Sequence, residues 1–118
     1  VGVCGEVDGA ALDGRLEERA WFDAPDRLFA PKPAGSKAPG KLGLYDMQGN
    51  VWEWCSDSYV PYPGAAVEVK ADSNLRVLRG GGFADSADFL DPGMRHGSPR
   101  DRKLRWNGMR IARAVPVR

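Results

Sequence analysis

The sequence predicts one small α+β domain, built mostly of ordered loops, with short strands and little helix. Three observations lead there. At 118 residues the chain has room for one hydrophobic core and not for two. Fifteen glycines and nine prolines disfavour helix and strand interiors. Four Trp, four Phe and three Tyr supply large side chains to bury, which argues against disorder.

Residues 1–12 are small and Gly-rich and read as loop. Asp13 is placed to cap a short helical turn carrying Leu16 and Ala20, with Glu17 and Glu18 near its positive end. Trp21 and Phe22 close that turn as a bulky pair expected in the core. Residues 24–41 hold four prolines among few apolar residues and read as an extended surface connection. The block Leu42–Cys55 follows. If residues 51–55 are extended, Trp52 and Trp54 share one face, and Val51, Glu53 and Cys55 share the other. Residues 56–74 read as turns around Pro61, Pro63 and Gly64. Arg76–Arg79 is strand-like and runs into Gly80–Gly82, where three glycines point to close backbone approach or a bulge. No period of 2 or 3.6 holds from Phe83 to Asn107. Gly108–Arg113 reads as a last strand with Met109 and Ile111 inward.

Composition excludes several function classes. The net charge is +1, so no global field calls for nucleic acid or an anionic membrane. No apolar run is long enough to insert into a bilayer. The lone histidine, His96, cannot build a multi-histidine metal site. No nucleophile elbow, P-loop or dinucleotide fingerprint is present. Cys4 and Cys55 are too few for a disulfide framework, and free or buried thiols are the simpler expectation over a pair. The chain begins at Val1 without a visible signal peptide and reads as a trimmed or partial polypeptide.

Three blocks then form a pattern. GLYDMQGNVWEW at Gly43–Trp54, RVLRGGGF at Arg76–Phe83 and NGMRIAR at Asn107–Arg113 resemble, in order and spacing, the formylglycine-generating-enzyme (sulfatase-modifying-factor) family. Ala20-Trp21-Phe22 is a further landmark, and the resemblance runs from about residue 20 to the C-terminus. It implies a C-type-lectin-like fold with short antiparallel strands, residues 1–118 forming the C-terminal part of one such domain. The family's enzymes bind copper through two cysteines just past the glycine cluster. The matching positions here are Asp85 and Leu90; neither is a soft thiolate, so no copper is expected. The family's calcium ligands match Asp46, Gly49, Val51 and Glu53. Two carboxylates flanking a turn whose carbonyls face one point suit calcium, which takes six to eight oxygens at about 2.3–2.6 Å. The alternative is a tight turn in which backbone N–H groups satisfy Asp46 and Glu53.

Residues 84–106 carry the least core-like chemistry, between RGGGF and NGMRIAR. Anchored at both ends, such a stretch can present a binding site, with Phe89, Met94, His96 and Trp106 as exposed contact residues. The arrangement resembles the variable proteins of diversity-generating retroelements, which share this scaffold and diversify the same stretch. Diversification there acts on adenines, so asparagine codons are the main targets. Their products include the residues found at Ala84, Ser86, Phe89, Asp91, Gly93, His96, Gly97 and Arg105. Met94 and Trp106 do not fit such an origin. The other readings are a solvated loop and a nucleic-acid surface. Arg95, Arg100, Arg102, Lys103 and Arg105 oppose one acid, Asp101, but are expected to pair with Asp85, Asp88 and Asp91 instead.

The expected function is therefore non-catalytic binding of a protein or surface-glycan ligand through residues 84–106, with no nucleic acid and no membrane insertion. A variable receptor-binding protein would sit at a cell or virion surface; otherwise the chain fits the cytoplasm. The alternative is an oxidoreductase domain related to the sulfoxide synthases of ergothioneine synthesis. Those enzymes hold iron in another domain, so this chain would supply only substrate contacts.

Overall fold

The computed structural model describes residues 16–23, 30–62 and 74–114. One helical turn, α1 (Leu16–Arg19), precedes four strands: β1 (Trp52–Ser58), β2 (Leu75–Arg79), β3 (His96–Pro99) and β4 (Asn107–Gly108). They form one sheet in the order β3-β2-β1-β4. β1–β2 and β2–β3 are antiparallel. To these short antiparallel strands, which are as expected, β4 adds one parallel pair, setting Trp52 opposite Asn107 and Glu53 opposite Gly108. β3 and β4 point the same way at opposite edges; the long connection that the parallel β1–β4 pair requires runs through β2 and β3, and residues 100–106 carry it back across the sheet.

β1 and β2 follow from sequence. Val51, Trp52, Trp54 and Val77 are strand formers, and the register sets Trp54 opposite Leu78 and Glu53 opposite Arg79. The expected separation of Trp52 and Trp54 from Glu53 is met. β1 runs on to Ser58 past an irregularity between Trp54 and Ser58, so turn chemistry begins later than residue 56. β3, with Gly97 and Pro99, is a weak strand by propensity. It survives because it is an edge, where the missing proline N–H leaves no interior ladder bond open.

The core comprises Ala20, Trp52, Val77, Leu78, Phe83 and Leu90. Burying a side chain the size of Phe83 or Leu90 contributes about 2–3 kcal/mol. Trp21 and Phe22 are only half-buried; Trp21 Nε1 donates to Ser36 Oγ at 2.9 Å, and Lys37 Nζ sits 4.3 Å from its ring centroid. The small Ala20 fills the core in their place, and the Trp21 backbone does the anchoring, its carbonyl accepting from Asn50 N at 2.8 Å. The Asp13 cap lies outside the described residues. Within 30–41 nearly every residue is exposed or half-buried, as a surface connection should be. Asn50 clamps that connection by accepting from Lys32 N at 2.8 Å and donating to Lys32 O at 3.1 Å.

Gly81 takes φ +73°, and a Cβ there would stand 2.7 Å from Leu90 Cδ1; the glycine cluster is a close approach, as expected. The last strand is shorter than its sequence suggests. It ends at Gly108, leaving Met109 76% and Ile111 90% exposed. Arg110 is the residue that turns back onto the domain, to Glu53 and the carbonyls of Tyr45 and Asp46. Cys55 is disulfide-bonded, which overturns the free-thiol reading at that position. Cys4 lies outside the described residues.

Candidate functional site

Trp52 is where the two ends of segment 84–106 meet. Its indole Nε1 donates to Asp85 Oδ2 at 2.7 Å. Its ring centroid stands 6.0 Å from that of His96. Its backbone N donates to Trp106 O at 2.8 Å. The chain at Asp85, flanked by exposed Ala84 and Ser86, at exposed His96 and at exposed Arg105–Trp106 is thus tied to one buried residue. Arg105 lies 6.0 Å from the Trp106 ring centroid.

The middle of the segment is ordered. Ser86 leads into a 3₁₀ turn over Ala87–Leu90, which sends Leu90 into the core at 1% exposure and leaves Phe89 45% exposed. Leu90 and Ser98 are buried, so the segment is neither a solvated loop nor wholly surface. Asp91, Gly93 and Met94 line a separate groove of 860 Å³, together with Tyr59, Tyr62 and Arg95. The sequence reading missed the two tyrosines and placed Arg95 only in a basic run. The tyrosines sit around Pro61 in a stretch read as turns, and the clustering of two aromatics with a proline was the available signal.

Gly97 departs from its expected role. A Cβ there would lie 2.7 Å from the Tyr59 ring, so the residue packs under an aromatic and a larger side chain would have to displace that ring. The expected pairing of acids with arginines is also absent among the described residues. Asp85 holds Trp52 and the Gly82 N–H (2.8 Å), Asp91 Oδ1 accepts from Gly93 N at 2.7 Å, and Arg95 stacks on Tyr62. Arg100, Arg102, Lys103 and Arg105 remain exposed.

The four residues matched to calcium come together partially. Asp46 and Asn50 adopt positive φ (52° and 63°). Gly49 does too, at 75°, and a Cβ there would overlap the Trp21 carbonyl, so both the turn and the packing call for glycine. Asp46 Oδ2 accepts from Gly35 N at 2.7 Å, whereas its Oδ1 is buried without a hydrogen-bond partner. An orphaned buried carboxylate oxygen is what a cation would satisfy, so Asp46 fits calcium. The Glu53 oxygens accept from Arg110 Nε (2.9 Å) and Nη2 (2.7 Å), so a cation would share Glu53 with that guanidinium. Val51 is half-buried, its side chain against Gly108. No cluster of three or more His, Cys, Asp or Glu suited to a metal occurs among the described residues.

The two positions aligned with copper ligands are committed elsewhere: Asp85 to Trp52 and Gly82, Leu90 to the core. No helix among the described residues is long and apolar enough to cross a membrane.

Comparison with known proteins agrees with this scaffold. The chain is 32% identical to the hercynine oxygenase of Mycolicibacterium thermoresistibile, over 84% of its own length and 27% of that protein's. It is 38% identical to the inactive C-alpha-formylglycine-generating enzyme 2 of Mus musculus, over 55% of its length and 18% of that protein's. The solved structure of Treponema denticola variable protein 1 superposes with a TM-score of 0.68 at 30% identity, over 82% of this chain and 36% of that one. The chain therefore spans about a third or less of the length of these relatives, and its fold is loop-rich α+β of the C-type-lectin-like type. The family model of the sulfatase-modifying factor enzyme 1-like domain matches residues 10–115, and the chain belongs to that family.

Proposed function

We propose that the chain is a non-catalytic ligand-binding protein that displays residues 84–106 on a C-type-lectin-like scaffold, as variable proteins of diversity-generating retroelements do. The observation that carries the reading is the convergence on Trp52: its indole holds Asp85 and stands against His96, and its backbone N–H holds the Trp106 carbonyl, while Ala84, Ser86 and Arg105 beside them are exposed. A rigid base under exposed positions lets side chains change at little cost to the fold. The commitment of Asp85 and Leu90 to packing, where the enzymes carry cysteines, supports a binding role over oxidase chemistry. The ligand is a protein or a surface glycan.

Calcium belongs to the same reading as a scaffold ion. Asp46, the carbonyls of Gly49 and Val51, and Glu53 would hold it, and it would brace the turn that precedes β1.

The test is to sequence the DNA beside the gene. A near-copy of the segment encoding residues 84–113, differing at adenines, is expected. Its absence overturns the variable-protein reading.

The likeness to hercynine oxygenase favours a second reading, a domain lending substrate contacts to an oxidoreductase. It predicts saturable binding of hercynine, abolished by changes around Trp52, and a chain that ignores hercynine excludes it.

A further inference from the structure

None of Trp52, His96 and Trp106 lines the groove beside Tyr59 and Tyr62. Its volume, 860 Å³, is in the range of small-molecule sites, roughly 300–1,000 Å³. Its aromatic wall is held rigidly. The Tyr62 hydroxyl donates to Gly93 O at 3.0 Å and accepts from Arg79 Nη2 at 3.2 Å. The Arg95 guanidinium carbon lies 3.7 Å from the Tyr62 ring centroid, and Arg95 Nη2 donates to Val60 O at 2.5 Å. Tyr59 is seated against Gly97, whose missing Cβ makes room for the ring. Side chains fixed before binding lose little entropy when a ligand arrives.

The polar groups on the groove are selective about what they accept. Asp88 and Asp91 are exposed, and apart from the Gly93 N–H on Asp91 Oδ1, their carboxylate oxygens accept no hydrogen bond among the described residues. Carboxylates only accept, so the ligand must bring donors. A cation gains less here than at a bare ring, because the Tyr62 face that attracts positive charge is covered by Arg95, whose own charge offsets one of the two acids. An anion would meet two carboxylates. What remains is a neutral molecule with an apolar face and adjacent hydroxyls.

We propose that this groove binds a neutral pyranose sugar, its C–H face against the part of the tyrosine wall that Arg95 leaves uncovered and vicinal hydroxyls donating to Asp88 and Asp91. The proposal rests on the ligand-binding reading only in naming a glycan as the ligand, and it requires neither diversification nor a metal ion. Tyr59 and Tyr62 lie outside residues 84–106, so the aromatic wall belongs to the frame.

The test is NMR titration of the full isotope-labelled chain with the methyl glycosides of glucose, galactose, mannose and N-acetylglucosamine, and with trilysine. Expected are saturable shifts at Tyr59, Tyr62 and residues 88–95 with at least one glycoside. Asp88→Ala, which removes an exposed side chain, should weaken binding about fivefold or more. Tyr62→Ala should weaken it about as much, and Tyr62→Phe, which keeps the ring, much less. No saturable shift with any glycoside overturns the proposal, as does undiminished binding to both alanine variants. Trilysine binding at the groove in place of sugars assigns it to a basic peptide and overturns it equally. Groove shifts without a DNA near-copy would sink only the variable-protein reading. A near-copy without groove shifts would sink only this one.

Discussion

The Trp52 indole N–H donates to Asp85 Oδ2 at 2.7 Å, and the same oxygen accepts the Gly82 backbone N–H at 2.8 Å. One carboxylate thus joins β1, the glycine cluster and the start of segment 84–106. Asp85→Ala leaves two donors without their acceptor and is expected to cost about 2–4 kcal/mol. Asp85→Asn keeps an acceptor and should cost less. Urea unfolding measures both, and a midpoint shift at constant slope is the expected result. An unchanged midpoint in Asp85→Ala would mean the hydrogen bonds are not what orders the segment.

Gly97 offers a second test, because sequence logic and packing disagree there. Its codon family fits adenine diversification, yet a Cβ would meet the Tyr59 ring at 2.7 Å. Gly97→Ala is expected to destabilise by about 1–3 kcal/mol, the usual cost of overpacking. Paired with Tyr59→Leu, the two changes should be less than additive, since the smaller side chain relieves the contact. Full additivity in thermal or urea denaturation would show that Tyr59 does not rest on Gly97.

Much of the scaffold was legible because its signals are local. The β-forming run at Val51–Cys55, the apolar centre of Arg76–Arg79 and the glycines before Phe83 each announce their own geometry. β3 was not legible, since His96-Gly97-Ser98-Pro99 has poor strand propensity and is extended only through its ladder with Leu75–Leu78. The parallel pairing of β4 depends on the long connection that residues 100–106 carry back across the sheet, which no local pattern records. At the candidate site, the exposed Phe89 and Trp106 were readable as residues without a core period. The groove was not, because Tyr59 and Tyr62 come to Asp91, Gly93 and Met94 from 29 to 35 positions away in sequence, a contact only the folded sheet creates.

The 3₁₀ turn over Ala87–Leu90 separates binding from folding residue by residue. Phe89 is 45% and Trp106 39% exposed, against 1% for Leu90. Leu90→Ala is expected to cost about 2–5 kcal/mol through its cavity. Phe89→Ala and Trp106→Ala should each stay within about 1 kcal/mol of the parent chain and act on ligand affinity. Circular dichroism melts of the three variants decide the matter. Unfolding of Phe89→Ala or Trp106→Ala would return those residues to the core and remove them from the surface.

Arg110 and calcium would draw on the same carboxylate, and this makes the ion testable without a ligand assay. The guanidinium takes both Glu53 oxygens and also donates to the carbonyls of Tyr45 and Asp46. In chelator, Arg110→Ala should therefore lower stability by about 1 kcal/mol or more, tempered by the partial exposure of the pair. Added calcium works against that loss. Freed from the guanidinium, Glu53 becomes a stronger ligand, so the variant should gain more from added calcium than the parent does. At free calcium about a hundredfold above its Kd, linkage raises stability by about 2.7 kcal/mol. Asp46→Ala removes the buried, unpartnered Oδ1 and should abolish the calcium response in both backgrounds. Melting curves in calcium and in chelator read all of these effects. If neither the parent nor Arg110→Ala responds to calcium, the turn before β1 is held by its hydrogen bonds to Arg110, Gly35, Trp21 and Gly80 without an ion.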